Sequence, residues 1–481
     1  MVNCFYGREE LLLDLNRLWS KRGSSFVTCR GRRRIGKSTL IEHFAEQSNA
    51  RFIKIEGLRP NSALDNAAEL MHFSAQLAAV SRLDDSPPSN WLNAFIRLDA
   101  IISDDERTVV LLDEVSWMAH YDASFAGTLK TAWDNHFKRH PRLVFVVCGS
   151  VSAWIRENII DDGAFYGRRS LDIVVPELPL SECVRFWGAA AKRLDVREII
   201  DVLSVTGGVP RYLEEVVPLE SANENIRMLG FRAMSILRTD FDEMFADVIT
   251  KQPTMSARII RHLVSDSHSA TELAGLMGIE KNGNVSKALE QLEEAGLISA
   301  DEGKNPETGE DLRERRFRLK DNYCRFYLRY IEKAKAVIDK GQYEFGSLDQ
   351  LEGWDAVKGL AFENLVVNNA RQLCPLLGIG KSTLLSVAPY RRAGSRDGRR
   401  KGLQVDLLVQ TRRSWYLVEV KRQREIGREV IDEVDEKVKH LPKRNGVSVR
   451  TALVYDGNLA PIVEADGYFD AIVPFRRLLD L

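Results

Sequence analysis

The chain has 481 residues, enough for about three domains with cores of their own, and its 68 Lys and Arg against 69 Asp and Glu leave a formal net charge of -1. That balance excludes a global electrostatic pull toward nucleic acid or membrane, so any such surface has to be local. No apolar run approaches the roughly 18 residues of a membrane span, and the opening MVNCFYGREE lacks the apolar core of a secretory signal. Six scattered cysteines (Cys4, Cys29, Cys148, Cys183, Cys324 and Cys374), with no Cys/His cluster of zinc-ligand spacing, point to free thiols in a soluble, cytoplasmic protein.

Residues 2–19 place Leu11, Leu12, Leu15 and Leu18 at helical spacing behind Gly7-Arg8-Glu9. Next, the apolar run FVTC leads into GRRRIGKST, which fills the pattern G-x-x-x-x-G-K-[ST]. Gly31, Arg32, Arg33, Arg34, Ile35, Gly36, Lys37, Ser38 and Thr39 thus form a candidate phosphate cradle. Gly31 and Gly36 allow the backbone to turn sharply and its N–H groups to approach phosphate oxygens. Lys37 opens a helix and can reach the β- and γ-phosphates of ATP, and the Ser38 hydroxyl can ligate Mg²⁺. A Gly-Lys turn that binds nothing is the alternative, disfavoured by the strand ahead and the helix behind. A second Gly-Lys-Ser, at 380–382, has Pro375 where the first glycine belongs and reads as a loop.

A strand is expected at 51–55 and a helix at 64–83. Residues 108–114, TVVLLDE, form an uninterrupted apolar run of the type that fills a central parallel strand, ending in two carboxylates. Beside a P-loop, Asp113 can hold the Mg²⁺ shell and Glu114 can orient or deprotonate the attacking water; alone, such an ending is also a common solvated strand end. A further buried run at 143–148 ends at Gly149-Ser150. Ser150 is a candidate sensor of the γ-phosphate or water, or a cap for the next helix.

Gly7-Arg8-Glu9, the P-loop, VVLLDE, Tyr166-Gly167-Arg168 and Gly207-Gly208-Val209-Pro210 occur in an order that resembles the archaeal-type ATPases, a branch of the AAA+ and STAND nucleotidases. The resemblance covers roughly the first half of the chain. It implies that residues 181–217 form a helical lid with 207–210 near the nucleotide. It also implies that Arg168 is a charge sensor, or a finger reaching a neighbouring subunit's nucleotide in a homo-oligomer. On residues alone Arg168 could equally be a surface arginine.

Between 270 and 297 two short helices separated by a turn follow helix-turn-helix arithmetic, with Leu273, Ala274 and Met277 on one and Val285, Leu289 and Leu292 on the other, stopped at Gly296. Residues 301–311 are expected as a wing and 315–319 as a returning strand. The exposed face of the second helix is acidic on balance, which disfavours DNA reading and favours domain docking. An aromatic helix is expected to follow the strand, its rings packing rather than binding.

The last third carries a separate constellation. Runs at 402–409 and 415–421, joined at Arg412-Arg413, place Asp406 opposite Glu419 if the turn is tight. Alternation sets Glu419 and Lys421 on one face. Facing carboxylates repel unless a cation lies between them, so the pair reads as a hard-metal site for Mg²⁺ or Mn²⁺. Glu363 shares an apolar helical stripe with Leu360, Val366 and Val367 and needs a polar partner, for which this site is the candidate. Glu-x-Lys alone is weak, since Glu302-Gly303-Lys304 lies in a loop. Together Glu363, Asp406, Glu419 and Lys421 resemble the PD-(D/E)xK nuclease fold in its version fused behind archaeal-type ATPases. That resemblance implies metal binding by Asp406 and Glu419, assistance by Glu363, and positioning or activation of the attacking water by Lys421. Val405 stands where the name's proline belongs. The basic loop 391–401 could recruit DNA without base specificity, or be a solvated loop.

The expected fold is α/β: a P-loop NTPase parallel sheet (1–180) with a helical lid (181–250), then a winged helix (251–320), a helical connector (321–350) and an α/β restriction-endonuclease-like domain (351–481). The expected activity is ATP hydrolysis coupled to metal-dependent DNA cleavage. The rivals are a nucleotide-driven switch or assembly ATPase whose last domain binds a partner or DNA without cutting, and an ATP-modulated transcription regulator.

Overall fold

A computed structural model of the chain describes residues 5–150, 152–248, 253–312, 314–380, 383–394 and 401–481. Packing divides the chain into two units, Met1–Pro176 and Glu177–Leu481.

The first unit is built on a five-stranded, all-parallel sheet of strands β1 (Ser25–Arg30), β2 (Arg51–Glu56), β3 (Thr108–Asp113), β4 (Leu143–Gly149) and β5 (Arg169–Val174), in the order β2-β3-β4-β1-β5. Every residue of β3 and β4 is buried, as their unbroken apolar sequences require of strands covered on both faces. Phe26, Val110, Leu112, Phe145 and Val147 face an aromatic core with Phe73, Trp91, Phe95 and Phe125. The alternate residues Val27, Cys29, Val109, Leu111, Val144 and Val146 are buried as well, so the second face is also covered. The first helix is Glu9–Leu18, shorter than expected because Gly7 and Arg8 both take left-handed φ ahead of it. The helix at Asn66–Ala79 falls inside the expected span. The helices Trp91–Ala100 and Phe125–Asn135 were not anticipated; they supply Trp91, Phe95 and Phe125 to the core.

In the second unit the winged helix has a three-stranded sheet, β6 (His268–Ser269), β7 (Ile298–Asp301) and β8 (Arg316–Leu319), in the order β6-β8-β7. Its helices are Ala270–Leu276, opened by a capping box of Ser269 and Glu272, and Gly283–Glu294, capped by Asn282 and followed by Gly296 at φ 73°. The acidic second helix is partly spent internally: the Glu293 carboxylate accepts the Ala300 N–H at 3.1 Å and pairs with Arg315 at 2.9 Å. The aromatics that follow pack, with Tyr327 stacked on Phe241 at 4.1 Å between centroids.

A second five-stranded sheet closes the unit: β9 (Leu384–Arg392), β10 (Leu403–Thr411), β11 (Ser414–Ile426), β12 (Ser448–Leu459) and β13 (Ala471–Pro474), in the order β13-β12-β11-β10-β9. β9, β10 and β11 are antiparallel neighbours, whereas β12 and β13 join in parallel. The turn at Arg412-Arg413 is tight, and the register runs from Gln410↔Trp415 to Leu407↔Val418, so the next pair is Asp406 and Glu419. Strand β9 escaped the sequence reading because Pro389 interrupts it; the proline is tolerated because β9 is an edge. Leu417 packs under the helix Glu429–His440 with Val430, Ile431 and Val434. Val418 packs on the opposite side with Phe362, Leu365 and Val366 of the helix Trp354–Asn368. That second core extends to Trp187, Ile199, Leu203 and Leu213, which precede the winged helix in sequence.

Candidate functional site

The first site lies at the carboxyl ends of the strands in the first unit, where β1 runs into the glycine loop and the helix Lys37–Gln47 begins at once. Gly31 has φ 146°, and a Cβ there would come within 2.7 Å of the Val175 carbonyl oxygen; Gly36, at φ 85°, has open space. The two glycines therefore serve different needs, close packing against the chain beyond β5 at Gly31 and a left-handed turn into the helix at Gly36. The Lys37 ammonium is buried inside its own loop, donating to the Gly31 and Arg32 carbonyls at 3.2 Å each. Ile35 is buried, Arg32 is buried, Arg33 and Arg34 are half-buried and Thr39 is exposed. Arg34 joins Gly36 in the left-handed region, at φ 65°.

The acidic strand is separated from the P-loop strand by β4. Across that gap the Ser38 hydroxyl donates to Asp113 Oδ2 at 2.6 Å, joining the loop to the end of β3. Glu114 takes a left-handed backbone, φ 50°, that turns its side chain back toward β4. There Glu114 Oε2 accepts both the Ser150 N–H at 3.0 Å and the Ser150 hydroxyl at 2.9 Å. Burial pushes the Glu114 carboxyl above its ordinary value, with Lys37 and Ser150 pulling the other way. Ser150 is thus a holder of Glu114. Arg168 is engaged by Asp134, through Nε at 2.7 Å and Nη2 at 2.9 Å, and by the Ala164 carbonyl at 2.7 Å.

Two further groups join this site, one from the Gly7-Arg8-Glu9 motif, to which no role was given, and one that no motif marks. Arg8, buried, donates from Nη2 to the Ile35 carbonyl at 3.2 Å and so clamps the P-loop from the chain's start. Lys54, on β2, approaches Asp113 Oδ2 at 3.2 Å. Burial lowers its pKa, but Asp113 and Glu56 outweigh that and raise it. Cys29 and Cys148 lie opposite each other in the β1/β4 register beneath the loop, both free.

The second site, in the second unit, is a polar cleft of about 1170 Å³ lined by Glu363, Asp406, Glu419, Lys421, Arg422 and Lys437, among others. All four residues singled out from the sequence meet there, brought from the helix Trp354–Asn368 and the β10–β11 hairpin. Asp406 Oδ2 accepts the Val420 N–H at 2.9 Å. Burial, reinforced by Glu419 and Glu363, pushes the Asp406 carboxyl up to about 7 against the pull of Lys437 and that N–H. Burial likewise raises the Glu363 pKa, with Arg318 and Arg325 opposing.

The cation between the facing carboxylates is a lysine that sequence reasoning missed. Lys437, on the helix Glu429–His440, donates to Glu419 Oε2 at 2.5 Å and lies 4.0 Å from Asp406 Oδ1. Lys421 is 3.1 Å from Glu419 Oε1 and 2.6 Å from Glu433 Oε2. Among the described residues, no group of three or more His, Cys, Asp or Glu side chains is disposed to hold a metal ion. Of the basic loop, Arg391 pairs with Asp266 at 2.6 Å and Arg392 donates to the His440 carbonyl at 3.0 Å, while 395–400 lie outside the described residues. Residues Lys381 and Ser382 of the second Gly-Lys-Ser lie outside them too. At 207–210, Gly207 has φ 59°, and a Cβ on Gly208 would meet the Leu178 carbonyl at 2.4 Å, so this glycine pair serves a close backbone approach within the second unit. No helix among the described residues is long and apolar enough to cross a membrane.

The family model described as an ATPase domain predominantly from Archaea matches residues 5–216. The chain is 22% identical over 366 residues to the uncharacterized protein MJECL04 of Methanocaldococcus jannaschii, covering 75% of this chain and 76% of that one. Among solved structures, the Walker-type ATPase PABY2304 of Pyrococcus abyssi is 14% identical with a TM-score of 0.49, covering 68% of this chain and 96% of that one. The ORC2 protein of Aeropyrum pernix, in its ADPNP-ADP complexes, is 17% identical with a TM-score of 0.44, covering 71% and 97% respectively. With the P-loop, the acidic strand and the parallel sheet in place, residues 5–216 are an ATPase domain of the archaeal type.

Proposed function

We propose that the chain hydrolyses ATP at the P-loop and couples that cycle to metal-dependent cleavage of DNA in the cleft of the second unit. The observation that carries the second half is the meeting of Glu363, Asp406, Glu419 and Lys421 in one cleft. At the P-loop, Lys37 leaves its backbone carbonyls for the phosphates, Ser38 and Asp113 hold the Mg²⁺ that neutralises phosphate charge, and Glu114 orients or deprotonates the attacking water. Ser150 keeps the Glu114 carboxylate aimed at one place.

In the cleft, Asp406 and Glu419 form an all-oxygen donor pair of the kind hard cations take, and Glu363 adds a third carboxyl nearby. Bound there, Mg²⁺ or Mn²⁺ supplies Lewis acidity toward a phosphodiester. Lys421 positions the water, and Lys358, Lys401 and Arg424 around the cleft offer charge to a phosphate backbone. Incubation of the full chain with linear, circular and branched DNA, plus Mg²⁺ or Mn²⁺, with and without ATP, tests the reading. Cleavage by wild type and its loss in Glu419→Gln is the expected result.

A second reading, a nucleotide-driven switch whose cleft binds a partner and cuts nothing, is favoured by the Lys437–Glu419 pair, which already neutralises one carboxylate. Absence of cleavage on every DNA form, with no metal binding, selects it.

A further inference from the structure

The cleft contains more organisation than the four residues of the proposed reaction use. Glu419 is 2% exposed, and both of its oxygens are met by ammonium groups: Lys421 at 3.1 Å on Oε1 and Lys437 at 2.5 Å on Oε2. The two lysines are not equivalent. Lys421 divides itself between Glu419 and Glu433 and stands 2.6 Å from the latter, toward the outer wall. Lys437 reaches inward, and it is the cation that also approaches Asp406, at 4.0 Å.

Lys437 comes from the helix Glu429–His440, which Val430, Ile431 and Val434 fasten to the sheet; three residues after Val434, Lys437 falls on the adjoining face and is directed at the carboxylate pair. Its ammonium is not the end of a wandering surface chain. With Lys421 it supplies the positive charge without which a buried Glu419 would be strongly destabilising, and it alone of the two also approaches Asp406.

We propose that Lys437 is the cleft's resident counter-ion, a positioning residue that holds the place between Glu419 and Asp406 into which a divalent cation goes, so that metal entry requires its ammonium to withdraw. The proposal rests on the metal-dependent reading of the cleft and assigns it a control: occupancy by lysine and occupancy by metal exclude each other. The physical reason is charge density. An ammonium at 2.5 Å from Glu419 and a divalent cation bound to the same oxygen repel each other in a buried setting, where charges are weakly screened. The long lysine stem allows the withdrawal, since the Lys437 side chain is 23% exposed and can swing toward the cleft's open side. Withdrawn, the ammonium stays in a cleft that admits a phosphodiester and can meet it as a point charge.

The test is calorimetric titration of Mn²⁺ into nucleotide-free full chain, with Glu419→Gln run alongside to report binding elsewhere. Lys437→Met is expected to bind Mn²⁺ at least tenfold more tightly than wild type, because the competing charge is gone. Lys437→Arg, which keeps the charge, is expected to bind no more tightly than wild type, and it guards against a folding defect in the Met variant. Thermal melts in chelator are expected to place Lys437→Met below wild type, with Mn²⁺ restoring more stability to the variant than it adds to wild type. Equal Mn²⁺ affinity in wild type and Lys437→Met overturns the counter-ion role while leaving the metal site standing. Absence of Glu419-dependent Mn²⁺ binding in all variants overturns the metal reading itself, and this proposal with it.

Discussion

The two sites each set lysines among carboxylates, and they store the lysine in opposite ways. At the P-loop, Lys37 rests on two backbone carbonyls, neutral groups that give it up readily to a phosphate. In the cleft, Lys437 and Lys421 rest on carboxylates, which hold them by charge-assisted bonds. A lysine parked on carbonyls is poised for an anion, and its site is complete when the anion arrives. A lysine parked on a carboxylate satisfies that carboxylate, and the site has to be rearranged before a metal can enter. The acids differ to match. Asp113 and Glu114 are neighbours in sequence turned in different directions, whereas Asp406 and Glu419 face each other across a hairpin.

The contrast can be broken most directly at Lys37 and Glu114. Lys37→Ala is expected to remove ATP hydrolysis and nucleotide binding together, while Glu114→Gln keeps binding and loses hydrolysis by about 10²–10⁴-fold, the usual worth of a positioned base. Turnover and fluorescent-nucleotide binding separate the two outcomes; wild-type turnover in both variants would overturn the P-loop roles. The next largest effect is in the cleft: Asp406→Asn and Glu419→Gln should lower DNA cleavage at least 100-fold while ATP turnover continues, and parallel loss of both activities would tie the sites into one. A smaller effect belongs to Ser150→Ala, which removes one of the two hydrogen bonds on Glu114 and leaves the backbone one. Loss of about 0.5–1.5 kcal/mol of positioning lowers turnover up to roughly tenfold at unchanged nucleotide affinity.

The smallest effect is one of pH. Because burial and Glu419 raise the Asp406 pKa to about 7 from an ordinary value of 3.8, the folded chain holds this proton more tightly than the unfolded one. Its contribution to stability therefore declines as pH rises from about 4 to about 7 and is fully lost above that. Glu69, also raised to about 7 by burial, adds the same slope, so the informative quantity is the difference between wild type and Asp406→Asn. Metal-free melting temperatures should fall less steeply with pH in the variant; identical slopes would mean that Asp406 titrates as an ordinary carboxylate.

What the sequence made legible was what is local in it. The P-loop is nine consecutive residues, the acidic strand seven, and the Asp406/Glu419 pairing follows from counting across a tight turn. The contacts that tune those sites span long sequence distances and leave no spacing to read. Ser150 to Glu114 and Lys54 to Asp113 join residues that the sheet order brings together, and Arg8 reaches Ile35 from ahead of the first helix. Lys437 was illegible for another reason: EVIDEVDEKVKH has the charge pattern of a solvated helix face, and most of its charges do face water. The helix Trp91–Ala100 did carry a signal, the Asn90 cap behind Pro87-Pro88-Ser89, whereas Phe125–Asn135 has no side-chain cap and β9 was hidden by Pro389.

The apolar core that joins Trp187, Ile199, Leu203 and Leu213 to Phe362, Val366, Leu407 and Val418 bears on how the chain can be divided. The first group lies inside the segment matched as an ATPase domain, the second lies more than 100 residues beyond it, and each is the other's shelter from water. Truncation after residue 216 would strip that shelter, at about 1.5–3 kcal/mol for each large side chain exposed, and a fragment of 351–481 would suffer the complementary loss. Residues 178–222 and 362–479 therefore stabilise each other through this core, and limited proteolysis is expected to find its stable break near Pro176 rather than at residue 216.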